Sequence, residues 1–153
     1  NLDPVITLLQ RSGDLKIVSD TRIVSEAEKV FGGPMPAACL YAPEPFVRAN
    51  PGTVQALTNA IVRADRWIHS AGPGDVIKVV PESYLLGDRA IYIDGFLAAQ
   101  KALSPDGMFP TAGAQTAYRA LASVDPKIAA AKLDLDAVYT NEFVKKAHAR
   151  KRG

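Results

Sequence analysis

The sequence predicts an α/β chain, mostly helical, with about two short strands. Three observations carry this. Apolar residues recur at helical spacing through most of the chain after Pro43. Two short segments in the first third, 15–20 and 37–42, are dense in residues that suit buried strands. Clusters of glycine and proline separate these regions.

The elements follow in order. Pro4 suits a first helical turn because its missing N–H would be an orphan there, and Asp3 before it suits an N-cap. Val5, Leu8 and Leu9 then share a face, and Gly13 is a stop. "LKIVSD" reads as a short strand, and "TRIVSEAEKV" as either loop or helix. "GGPMP" breaks regular structure, and the uncharged "AACLYA" reads as a buried strand. From Pro43, helix is expected to about Gly72, with Asn50 as a cap and Pro51 in the first turn. Its apolar stripe is Val54, Leu57, Ile61, Ala64 and Ile68. A shorter helix enters through Pro73 and stops at Pro81. A third runs from about Gly87, with Ile91, Tyr92 and Phe96 facing the core. "SPDG" is a turn, Thr111 caps the next helix, "DLD" reads as a helix entrance, and Thr140 caps the last helix.

The 153 residues suffice for one domain with a core, and 48% hydrophobic with 22% charged residues excludes a disordered chain. A net charge of +2 is too small to argue for a nucleic-acid partner. The basic tail "KKAHARKRG" reads as a solvated helix end. No run approaches the roughly 20 apolar residues of a membrane helix. The apolar, periodic start without methionine leads us to expect the later part of a longer or processed chain, with any targeting signal upstream.

Catalytic chemistry is sparse. A nucleophile needs a neighbouring base, and the two histidines, His69 and His148, read as exposed residues near helix ends. One cysteine and two distant histidines do not make a metal cluster, so neither metal nor cofactor is expected. Cys39 reads as a small buried hydrophobe and Trp67 as a packing residue. What remains is positional: a helix start at residues 1–4 and a glycine–proline loop at residues 31–36, both places where backbone N–H groups face outward.

Several segments together, namely "LDPVITLLQRSGDLKIVSDTR", "VFGGPMPAACLYAPEPFVRANPGTVQALTNAIVRADRWI", "PESYLLGDRAIYIDGF", "SPDGMFPTAGAQTAYRAL" and "LDLDAVYTNEFVKKA", resemble the later half of an ABC-importer solute-binding protein. The group is the nitrate/sulfonate/taurine type, related to the binding proteins for thiamine-pyrimidine precursors. The resemblance covers nearly the whole chain in order.

It implies part of a two-lobed α/β fold of the periplasmic-binding-protein type II. Residues 1–36 would finish the second lobe, 37–50 would cross the hinge, and 51–153 would pack on the first lobe and hinge. It implies a non-catalytic protein outside the cytoplasm that hands a small solute to an ABC permease. The upstream half of the same protein would be a further partner. Sulfonate, nitrate, pyrimidine and aromatic-acid ligands all stay open. The site residues carried over are Leu2, where many members have an aromatic, then Asp3, the loop Gly32, Gly33 and Pro34, and Tyr41 as a polar-tipped wall. Two other readings stay open: an enzyme of thiamine-pyrimidine synthesis on the same fold, and the ligand-sensing lobe of a regulator.

Overall fold

A computed structural model describes residues 3–85 and 87–149. Nine α-helices run through them: α1 (Val5–Ser12), α2 (Val24–Phe31), α3 (Glu44–Ala49), α4 (Pro51–Ser70), α5 (Pro73–Val79), α6 (Arg89–Gln100), α7 (Gly113–Ala122), α8 (Pro126–Ala130) and α9 (Glu142–Ala149). One turn of 3-10 helix, Glu82–Tyr84, lies between α5 and α6. The α/β expectation is overturned: the described residues form helices and irregular chain, with no strand among them.

The physical reason is the lack of a ladder partner. Segment 15–20 is irregular with a bend at Val18, which stands 98% exposed. Residues 37–42 are likewise irregular and solvent-facing, with Tyr41 at 88%. β-propensity describes a fit to a half-buried pleated surface, and neither segment has such a surface beside it. Cys39, read as a buried hydrophobe, is exposed.

Helix α4 organises the packing. Twenty residues give it a length of about 30 Å. It packs against α9 along one side and carries α3 at its N-terminal end. Its buried stripe is Val54, Thr58 and Val62, one turn apart. The expected stripe shared only Val54 with this, and Leu57 and Ile61 face solvent instead. Asn50 does not cap α4; its Nδ2 donates to the Phe46 carbonyl and closes α3. The helical segment expected over 43–72 divides at Asn50 into α3 and α4, and the helix expected from Pro51 is α4.

Side chains fasten the remaining helices. Gln100 at the end of α6 donates to the Ile68 and Ala71 carbonyls, which satisfies acceptors left open where α4 ends. Arg11 of α1 pairs with Asp94 of α6. Asp88 caps α6 by accepting from the Ala90 and Ile91 N–H groups at 2.8 and 3.0 Å. Asp125 does the same for α8 through Lys127 N–H at 2.8 Å. The helix after "SPDG" begins at Gly113, so Thr111 is not its cap. "DLD" forms a turn in which Asp136 N–H donates to Asp134 Oδ1, and no helix starts there.

The sequence "YTNEF" is a clip. Tyr139 stacks on Phe109 with ring centroids 4.7 Å apart. The Asn141 amide takes the Phe109 N–H at 2.8 Å and donates to the Phe109 carbonyl at 2.9 Å. Thr140 Oγ1 accepts from Glu142 N–H at the start of α9, as a cap should. His148 is half-buried, not a free surface residue: its Nε2 meets the Asp106 carbonyl oxygen at 2.8 Å and its Nδ1 meets Arg66. Together these contacts hold α9 against the 104–107 turn.

Candidate functional site

Asp3 sits at the start of α1 and is tied from two sides. Its Oδ1 accepts from Thr7 N–H at 3.2 Å and from Thr7 Oγ1–H at 2.7 Å, so it caps the helix from one residue further out than expected. Its Oδ2 accepts from Arg22 Nη1 at 2.8 Å. The same guanidinium chelates Asp20, with Nε and Nη2 donating at 2.8 and 2.7 Å, and Nη2 also reaches Gln10 Oε1 at 3.1 Å. All three charged side chains are largely covered, at 15% exposure for Arg22, 9% for Asp3 and 21% for Asp20.

The electrostatics follow from this fork. The Arg22 hydrogen bond holds the Asp20 carboxyl below its usual range against an opposing push from burial. The two carboxylates hold the guanidinium more firmly protonated in return. The cluster carries a net charge of −1. A carboxylate has about four acceptor directions, and Asp3 uses three here, so one more donor can be accommodated.

Asp3 and Pro4 form one wall of a cavity of about 190 Å³, and Tyr92, Gly95, Phe96 and Ala99 of α6 form the other. A Cβ built on Gly95 would lie 3.2 Å from Asp3 Cβ and 3.2 Å from Pro4 Cα, so glycine is what lets α6 approach this corner. The α6 side of the lining is aromatic and apolar, with Asp3 and Pro4 opposite it.

The glycine–proline loop lies elsewhere and serves a different purpose. Gly32 ends α2 with φ 73°, which a left-handed helix stop favours, and its carbonyl accepts from Arg119 Nη2 at 2.9 Å. A Cβ on Gly33 would stand 2.7 Å from Thr116 Oγ1, and one on Gly113 would stand 2.9 Å from the Pro36 ring. Gly113, Thr116 and Arg119 are three residues apart on one face of α7, and the loop runs antiparallel along that face. Pro34 travels with the loop, partly covered. An open groove of about 350 Å³ runs beside it between Val30 and Phe31 of α2 and Arg119, Ala120 and Ser123 of α7.

The sequence-derived residues therefore divide. Asp3 lines the smaller cavity; Gly32 and Gly33 lie against α7, with Pro34 next in the loop; Tyr41 is exposed and lines neither space. Leu2 lies outside the described residues. Arg22, Asp20 and Gly95 were missed. The Asp-x-Arg spacing at 20–22, in which Arg22 N–H also donates to Asp20 Oδ1 at 3.0 Å, is a local signal for part of this. The link to Asp3, nineteen residues away, has none.

Among the described residues, no group of three or more His, Cys, Asp or Glu is placed to hold a metal ion, and no helix is long and apolar enough to cross a membrane. A scan against protein-family models and a search of curated proteins both return no match. A solved structure of a protein from Bordetella bronchiseptica RB50 is similar, with 50% sequence identity and a TM-score of 0.92. The alignment covers 99% of this chain and 48% of the Bordetella chain, so the chain spans about half the length of that relative.

Proposed function

We propose that this chain is part of the substrate-binding component of an ABC importer, working outside the cytoplasm and passing a small polar solute to a membrane permease. The observation that carries the proposal is the cavity beside Asp3. Its lining residues include Asp3, Tyr92 and Phe96, side chains of the types that bind small polar solutes. The ordered resemblance of the quoted segments to nitrate/sulfonate/taurine-type binding proteins supports the same reading.

The net −1 of the Asp3–Arg22–Asp20 cluster favours a solute with a cationic or hydrogen-bond-donating group at that end. Taurine and aminopyrimidines carry such a group, whereas nitrate does not. The test is thermal unfolding of the chain with each solute at about 10 mM. A ligand with Kd of about 1 mM stabilises by about 1.4 kcal/mol at that concentration. An upward shift with an amine-bearing solute, reduced in Tyr92→Ala, is the expected result. Equal shifts in Tyr92→Ala and the parent chain would remove the cavity from the proposal.

A further inference from the structure

A histidine holds the 104–107 turn at each end, and the two rings meet different neighbours. His69 of α4 places Nε2 3.1 Å from the Ser104 carbonyl oxygen, and His148 of α9 places Nε2 2.8 Å from the Asp106 carbonyl oxygen. A carbonyl oxygen only accepts, so each Nε2 carries its hydrogen and donates. The second nitrogen of His148, Nδ1, meets Arg66 Nη2. A guanidinium only donates, so this Nδ1 carries no hydrogen and accepts. Both neighbours of His148 thus select one form, the neutral ring with its hydrogen on Nε2. His69 bonds only through Nε2 among the described residues, and Asp65 stands one turn before it on the same face of α4.

A proton therefore acts differently at the two sites. A charged His69 still donates to Ser104 and gains a carboxylate one turn away. A charged His148 turns Nδ1 into a donor, so the Arg66 contact becomes N–H against N–H and cation against cation. The charged groups around His148 come from three elements. From α4 come Arg66 and Asp65, whose Oδ2 lies 3.5 Å from the Cβ position of Gly107. The turn brings Asp106, whose Oδ1 already accepts from Met108 N–H at 2.9 Å and from Ser104 Oγ–H at 3.3 Å. Helix α9 itself brings Lys145, a further cation, one turn before His148. Among the described residues neither carboxylate forms an ion pair with His148.

We infer that His148 and Arg66 form a proton-sensitive latch: the neutral imidazole ties the last turn of α9 to α4, and its protonation frees that turn while His69 keeps the 104–107 turn on α4. The release is local. The start of α9 keeps the Gln55 bond to the Phe143 carbonyl at 2.9 Å and the Asn141 clip on Phe109. Both are amide contacts, and amides do not titrate between pH 5 and 8, the range in which histidine ordinarily changes charge. The latch shares no residue with the cavity beside Asp3, so it stands or falls apart from solute binding.

The test uses the parent chain, His148→Gln and Arg66→Ala. A glutamine amide copies the neutral ring, with an oxygen to accept from Arg66 and an N–H to donate to Asp106, and it has no proton to gain. Hydrogen exchange of amides 146–149 is measured at pH 8 and pH 5 and corrected for intrinsic rates, and nitrogen NMR follows the His148 ring. At pH 8 the ring should carry its hydrogen on Nε2 alone. In the parent, protection of 146–149 should be at least about threefold lower at pH 5 than at pH 8. His148→Gln should hold its protection at both values, and Arg66→Ala should be as poorly protected at pH 8 as the parent is at pH 5. A hydrogen on Nδ1 at pH 8 would overturn the inference, as would equal protection at the two values in the parent or the same acid loss in His148→Gln.

Discussion

Arg22 joins Asp3 to Asp20: Nη1 donates to Asp3 Oδ2 at 2.8 Å while Nε and Nη2 grip Asp20 at 2.8 and 2.7 Å. One side chain from the segment before α2 thereby fixes the start of α1 and one wall of the cavity. Removing it leaves two carboxylates with little water around them. Arg22→Leu is expected to destabilise the chain by about 2–4 kcal/mol in chemical denaturation. Arg22→Lys recovers little of this, because an ammonium cannot chelate Asp20 and reach Asp3 together.

The same cluster gives an acid dependence. The folded-state value of Asp20 lies below its ordinary 3.8, so its contribution is present above that value and is lost as pH falls through the folded-state one. Denaturation midpoints measured from neutral pH downward should fall in the parent chain below about pH 4. In Arg22→Leu that part of the fall should be absent.

Asp65 on α4 has the opposite sign. Burial raises its carboxyl above the ordinary value, with His69 partly opposing. The folded chain then holds the proton more tightly than the unfolded one, so stability decreases as pH rises through the folded-state value. Asp65→Asn should melt higher than the parent at pH 7, and the difference should vanish near pH 4, as followed by thermal unfolding at several pH values.

Asp3 itself combines two roles, and its substitution reports both. Asp3→Ala removes three accepted hydrogen bonds and half of the charge facing Arg22. The expected loss is about 1–3 kcal/mol of stability, so weaker solute binding in this variant is no clean evidence about the site. Tyr92→Ala separates the roles better, since Tyr92 lines the cavity from α6 and stands outside the ion-pair cluster.

Gly113 meets rigid neighbours. A Cβ there would stand 2.9 Å from Pro36 Cγ and Cδ and 3.0 Å from Pro110 Cγ, and neither ring can swing away. Gly113→Ala should cost about 1–3 kcal/mol. Gly52→Ala is the control: it lies on α4 with nothing within 4 Å of its Cβ position, and should stabilise by about 0.5–1 kcal/mol.

Local signals were the legible ones. Pro51 and Pro73 in first helical turns, Gly13 at a helix stop, and Thr140 as a cap are read from neighbours within a turn, and the structure agrees. The strands were misread because 15–20 and 37–42 have β-like composition, while a strand exists only beside another strand. The α4 stripe was misplaced because the chain spends its burial on Val54, Thr58 and Val62 and leaves the Leu57–Ile61 ridge bare. Asp3 was singled out and does line the cavity, but its partner Arg22 was invisible, since pairing across nineteen residues depends on how the chain folds back. The loop at Gly32 and Gly33 was singled out for its glycines, which meet local needs: Gly32 takes the left-handed helix stop and Gly33 lies close against α7.

The central claim is that the cavity between Asp3 and α6 binds a small solute. The most direct measurement is the thermal shift of the chain at about 10 mM taurine, an aminopyrimidine, an aromatic acid or nitrate. The account predicts that an amine-bearing solute raises the midpoint by about 3–6 °C, with less than half that in Tyr92→Ala. A midpoint unmoved by all four, or moved equally in Tyr92→Ala, would contradict it.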